Sequence, residues 1–212
     1  MAYRPTEKTQ ARKAELRQRL LDAALALVSG GGFGALTMVS VAANAGIATG
    51  AVYKHFESKA HLCAEVFRIA TEKEVAIVRD ATLGSDSTSA SDRLQGAIAA
   101  FAVRALRNPR LAYALIAEPV DALVDTQRLL YRQAYADVFV ELVTQGMASG
   151  EFAEQVPSIS AAALVGVIAE SLVSPLSAQQ GQDALGGDAL ITAIQAFCLR
   201  AVMAPASAAP SP

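Results

Sequence analysis

One stretch of 27 residues, LTMVSVAANAGIATGAVYKHFESKAHL at positions 36–62, constrains this chain more than any other. It reads as two short helices about a tight turn, followed by the start of a long third helix. Thr37 is a good N-cap, because its hydroxyl can accept from an amide that the first turn of a helix leaves without a partner. Met38, Val41, Ala42 and Ala45 then fall at helical spacing on one face. Gly46 follows where a helix end needs a positive φ, which only glycine adopts cheaply. Ile47 is placed to plug the space between the helices, and Val52 and Phe56, four apart, give the next helix its buried face. Thr49, Gly50, Tyr53, Lys54 and His55 are left on the exposed side. All can meet a phosphate or a base edge, and the glycine lets backbone come close. That is how a helix-turn-helix enters a major groove.

The pattern Leu36-Thr37, Ala45-Gly46, Gly50, Tyr53, Phe56, Ser58-Lys59 and Leu62 resembles the DNA-binding signature of the TetR family of bacterial transcriptional regulators. The resemblance implies an all-α fold of about nine helices: an N-terminal three-helix head that reads DNA, and a C-terminal helical body that binds ligand and dimerises. It assigns DNA contact to Thr37, Ala48, Thr49, Gly50, Ala51, Tyr53, Lys54, His55 and Lys59, with Lys59 on a phosphate. Two positions depart from the family pattern. Ala48 stands where many members carry a capping Ser, which weakens the helix start and leaves Thr49 as the substitute cap. Ala51 stands where many carry Thr, which removes one base contact. The implied boundaries are 1–57 for the head, 58–204 for the body and 205–212 for a disordered tail.

Net charge is −2, which by itself argues against a nucleic-acid partner. The distribution along the chain points the other way. Residues 1–60 carry eight Lys/Arg against four Asp/Glu, whereas the remainder carries ten against sixteen. A basic N-terminal part on an acidic body is the footprint of a DNA-reading head on a separate module. Hydrophobic residues make up 53% and aromatics only 6%, so the core is built of Ala, Leu, Val and Ile, a helix-favouring mixture. The mean hydropathy of +0.33 invites a membrane reading. The longest unbroken apolar run, 161–169, is nine residues and too short to span a bilayer. The N-terminus is polar and lacks the pattern of a signal peptide. Cys63 and Cys198 have no metal-ligand spacing and read as reduced thiols of a cytoplasmic protein.

Along the chain, residues 1–8 read as mobile. A helix from about residue 9 presents Leu16, Leu20, Ala24 and Leu27 on one face and ends in the glycine run 30–32. Arg4, Lys8 and Arg12 read as a solvated basic surface with diffuse attraction for DNA, with direct contact to its backbone or minor groove as the alternative. The reading helix runs over about 48–56, and Ser58 caps a helix reaching about residue 81. Residues 83–91 are a loop by composition. Helices follow over about 91–107 and 109–117, separated by Asn108-Pro109. Further helices cover about 121–149, 158–174 and 183–203. The last two are apolar on nearly every side, so each needs neighbours on every side. In the resembling family they pair with their two-fold mates, which implies a homodimer.

Nothing in the chain resembles an active site. His55 and His61, six apart, do not converge, and neither a phosphate loop nor a paired-carboxylate signature is visible. The chain is therefore read as a non-enzyme without metal or cofactor. The body instead carries a pocket for a small organic effector, with Phe101, Arg104, Tyr113, Glu118, Arg132 and Tyr135 as candidates. Aromatic walls with few polar groups suit an amphipathic ligand. Glu118 has a second reading, as the partner of Arg128 or Arg132 in a structural ion pair. The leading reading of the whole is a dimeric repressor that binds a palindromic double-stranded operator and is released by that effector. The alternative is a helical ligand- or protein-binding module that has lost DNA reading; the polar, basic face of the reading helix argues against it.

Overall fold

The structure is a computed structural model that describes residues 7–84, 89–177 and 185–203. Arg4, the middle of the 83–91 loop, the expected helix start at 183 and the 205–212 tail lie outside the described residues. Within them the chain is all-α. The helices are α1 (Glu7–Gly31), α2 (Met38–Ala45), α3 (Thr49–Val52), α4 (Lys59–Leu83), α5 (Ala90–Arg107), α6 (Pro109–Ile116), α7 (Ala122–Ala148), α8 (Pro157–Leu176) and α9 (Gly187–Val202), with a 3-10 turn at Phe33–Ala35.

Two apolar cores organise these helices. The first gathers Leu20, Ala24 and Val28, one stripe of α1, with Phe33, Leu36, Met38, Val41, Val52 and Phe56. It is not closed by the first three helices alone. Leu62, Cys63, Val66 and Phe67 of α4, Ala114 of α6 and Val124 of α7 complete it. The second core joins Val78 of α4 to Leu94, Ile98, Phe139, Leu142, Leu164, Ile168, Leu172, Ile194 and Cys198. α4 therefore runs from one core to the other and ties the two together.

Several boundaries differ from the sequence reading. α1 continues through Gly30 and Gly31, and Gly32, at φ 72°, ends it. The two glycines remain helical because they carry on an established hydrogen-bond ladder, which outweighs about 1 kcal/mol of propensity each. The reading helix is shorter than expected: after Val52 the chain passes into a turn at 53–55. Asn108 serves twice, ending α5 and capping α6 by accepting from the Leu111 amide at 3.3 Å.

α8 is long and apolar enough to cross a bilayer by length and composition, with a mean hydropathy of 1.8 over its most apolar window. Unbroken run length does not reveal it, because Ser158, Ser160, Glu170 and Ser171 interrupt the apolar residues without lowering the average enough. In the fold it behaves as a packed helix. Ala161, Leu164, Ile168 and Leu172, spaced three or four apart, enter the body core.

Candidate nucleic-acid interface and body cavity

The helix-turn-helix is held by local devices at each joint. Thr37 accepts from the Ser40 amide at 3.0 Å, and the Ser40 hydroxyl accepts from the Thr37 amide at 2.9 Å, so two amides without helical partners are satisfied reciprocally. Gly46, at φ 68°, closes α2 in the left-handed conformation. The Gly46 amide donates to Ala43 and the Ile47 amide to Ala42, the paired bonds of a Schellman ending. Arg19 of α1 adds a bond to the Ala45 carbonyl at 2.8 Å, a cation on a helix C-terminus.

Val52 and Phe56 are fully buried and fix the orientation of α3. Gly50, Tyr53 and Lys54 face solvent, Tyr53 with 55% of its surface exposed, and Thr37 and Lys59 are exposed beside them. Ala48 is exposed and Ala51 half-buried. No side chain caps α3 at Ala48, so the missing serine is not compensated. Ser58 caps α4 by accepting from the His61 amide at 3.1 Å, which leaves Lys59 at a helix N-terminus.

Two expectations about this face change. Thr49 is half-buried, and so is His55, whose Nδ1 is buried without a hydrogen-bond partner. The turn after Val52 brings His55 near Lys13 and Arg17. Burial first, then these two cations, hold its imidazole below the ordinary range, so it is a neutral ring near neutral pH. Arg17 is structural: it pairs with Glu65 at 2.6 Å and lies 5.0 Å from the Phe56 ring centre. Its partner is 48 residues away, so no local spacing announces the pair.

A cavity of about 320 Å³ opens among α4, α5, α6, α7 and α8. Phe67, Val78, Phe101, Leu111, Phe139 and Ile168 supply much of its apolar wall. Four of the six sequence candidates line it: Phe101, Arg104, Arg132 and Tyr135. Phe101 and Tyr135 meet edge to face at 5.7 Å, and burial pushes the Tyr135 phenol well above its ordinary range. Arg104 grips both oxygens of Glu74, at 2.8 and 2.7 Å.

Tyr113 and Glu118 are not on the wall. Tyr113 packs half-buried against the body core, and its carbonyl accepts from the Ala117 and Glu118 amides at the end of α6. The Glu118 carboxylate accepts from the amides of Phe33 and Gly34, at 3.0 and 3.1 Å, and so ties α6 to the 3-10 turn of the head. The expected ion pair with Arg128 or Arg132 is replaced by a backbone contact. Arg128 donates to the carbonyls of Leu115 and Glu118, at 3.1 and 2.8 Å, and pairs with Asp125.

The sequence pattern of the bacterial regulatory proteins of the tetR family matches residues 20–66, the segment that builds the first core. The HTH-type transcriptional repressor KstR of Rhodococcus jostii is 52% identical over 48 residues, which are 23% of this chain and 23% of that protein. KstR of Mycolicibacterium smegmatis is 50% identical over 48 residues, 23% and 24% of the two chains. Over residues 20–66 the chain carries the helix-turn-helix signature of the tetR family.

The likeness to these curated relatives spans about a quarter of their length. The wider TetR fold extends further. FadR of Bacillus subtilis in complex with stearoyl-CoA superposes with a TM-score of 0.72 at 18% identity, over 87% of this chain and 98% of that one. A TetR-family regulator of Agrobacterium tumefaciens gives 0.70 at 15% identity, over 90% and 99%. At such identities the agreement is one of fold. The sequence kinship marked by the family pattern lies within residues 20–66.

Proposed function

We propose that the chain is a dimeric, ligand-responsive transcriptional regulator, a repressor that binds a palindromic operator and is released by a small organic inducer. The observation that carries the reading is the division of α3 and its flanks. Val52 and Phe56 are buried, while Gly50, Tyr53, Lys54 and Lys59 stay exposed. Gly50 permits close backbone approach, Tyr53 and Lys54 reach groove walls and phosphates, and Lys59 adds a phosphate contact at the start of α4. Residues 1–57 act as the reader, residues 58–204 as the dimerising and ligand-binding body.

The homodimer is supported by α8 and α9. Ile159 is 69% exposed and Phe197 52%, with Ala162, Ala163, Ala193 and Ala201 also open to solvent. An exposed apolar surface of this kind on two neighbouring helices normally marks an interface. Two-fold pairing there presents two heads to successive half-sites. The cavity supplies the effector site, and a neighbour of the same fold holds stearoyl-CoA. Effector binding releases DNA by favouring a conformation whose heads do not fit both grooves.

The test is a mobility-shift titration of the full chain against its own upstream DNA and against random duplex. A specific complex that persists when random duplex is added in excess is expected. Equal affinity for both sequences would remove the operator-reading role.

A further inference from the structure

The cavity wall is unevenly charged. Four arginines line it, Arg104, Arg107, Arg128 and Arg132, against a single carboxylate, Glu74. Glu74 is already occupied, because Arg104 takes both of its oxygens. Arg128 is occupied as well, by Asp125 and by the carbonyls at the end of α6. Arg107 and Arg132 remain. Among the described residues neither pairs with a carboxylate, and they are the two lining residues that are exposed. The solvent-exposed part of an otherwise apolar lining therefore carries two guanidinium groups without a carboxylate partner.

We propose that this cavity takes an anionic amphiphile, its apolar body buried among Phe101, Phe139 and Ile168 and its carboxylate or phosphate held by Arg107 and Arg132. The inference rests on the reading of the cavity as the effector site. A guanidinium presents parallel N–H donors that match a carboxylate or phosphate edge, and such charge-assisted pairs outlast neutral hydrogen bonds in water. A cationic amphiphile meets like charge at these arginines and finds no free carboxylate among the lining residues. A neutral one fills the apolar part and leaves the two arginines to solvent.

The test uses the full chain and four probes with one chain length, each below the concentration at which it forms micelles: dodecanoate, dodecyl phosphate, dodecanol and dodecylamine. Binding is read by calorimetry. At least one anion is expected to bind about tenfold more tightly than dodecanol, corresponding to one good charge-assisted contact, with dodecylamine weakest. The comparison of dodecanoate with dodecyl phosphate decides which head group the two arginines prefer. The double variant R107A/R132A is expected to lose the anion preference and keep its affinity for dodecanol. Both side chains are exposed, so the fold is retained, and an unchanged helical circular dichroism spectrum checks it. Tighter or equal binding of dodecanol or dodecylamine overturns the charge inference and leaves the cavity as a ligand site. An anion preference that survives R107A/R132A also overturns it. Binding of none of the four overturns the inference together with the effector reading on which it stands.

Discussion

The head and the body solve the same packing problem in opposite ways. In the head, the helix ends at Thr37, Gly46 and Ser58 are closed by residues near them in sequence: Thr37 with Ser40, Gly46 with Ala42 and Ala43, Ser58 with His61. Long-range ties such as Arg17 with Glu65 are added to them. In the body, the contacts that matter cross long stretches of chain, as Arg104 with Glu74 and Glu151 with the amides of Ala90 and Ser91. Both cores hold fully buried side chains, and a cavity of about 320 Å³ opens between them, lined by Phe67 of the first core and by Phe139 and Ile168 of the second. Helix ends closed within a few residues leave little local freedom, which suits the proposed role of the head as a reader of fixed geometry. A cavity in the body fits the proposed role of that part as the responder to a ligand.

The strongest challenge to this contrast is Phe56→Ala, because Phe56 is fully buried at the centre of the head core. A loss of about 3–5 kcal/mol is expected. Denaturation should then show the head melting first while most body helicity persists. A single coincident loss of all helicity would mean that the two cores are one cooperative unit.

Next in size comes Phe197→Asp on the open face of α9. If a second copy covers that face, an unpaired buried charge costs on the order of 3 kcal/mol of association. Sedimentation should show dissociation with the monomer still folded, and operator affinity should fall because both heads no longer bind together. An unchanged association state would place the dimer seam elsewhere.

Thr37→Ala removes the cap of α2 and should cost about 1 kcal/mol in chemical denaturation. An effect within error would mean that the tertiary core, and not the cap, holds the head. Lys59→Ala should leave stability unchanged and lower the salt slope of DNA binding by about one unit, since one fewer counterion is released. An unaltered slope would remove the phosphate contact.

The smallest expected effect concerns His55. Its folded pKa lies below 6.5, through burial first and then Lys13 and Arg17. The unfolded chain therefore binds the extra proton more readily, and stability rises with pH up to about 6.5 and declines as pH falls through it. His55→Gln should flatten that acid-side slope. An identical slope would assign it to other groups.

The same contrast explains what is legible in the sequence. The cap at Thr37, the glycine at 46 and the buried pair Val52 and Phe56 are readable because each follows from spacing within a turn or two. The end of α3 is not, because helical spacing continues through Phe56 while the backbone turns after Val52. The same spacing puts His55 on the exposed face, where the turn instead buries its Nδ1. In the body, the chemistry of Phe101, Arg104, Arg132 and Tyr135 suits a ligand site, and all four line the cavity. The chemistry of Tyr113 and Glu118 suits one equally well, and neither reaches it. The difference lies in how α6 sits after Asn108-Pro109, which no local pattern reveals.

Glu118 also bears on how such a chain can change over time. Its carboxylate holds the head through the backbone amides of Phe33 and Gly34, so the grip is on main chain and not on head side chains. The tight demand on residue type falls at Gly32, where a Cβ would come within 2.5 Å of Glu118 Oε2. A joint written in main chain tolerates drift on the reader's side. Under the proposed reading role, the residues that contact DNA can be replaced one after another while this main-chain joint stays intact, so a new recognition surface does not require a new joint.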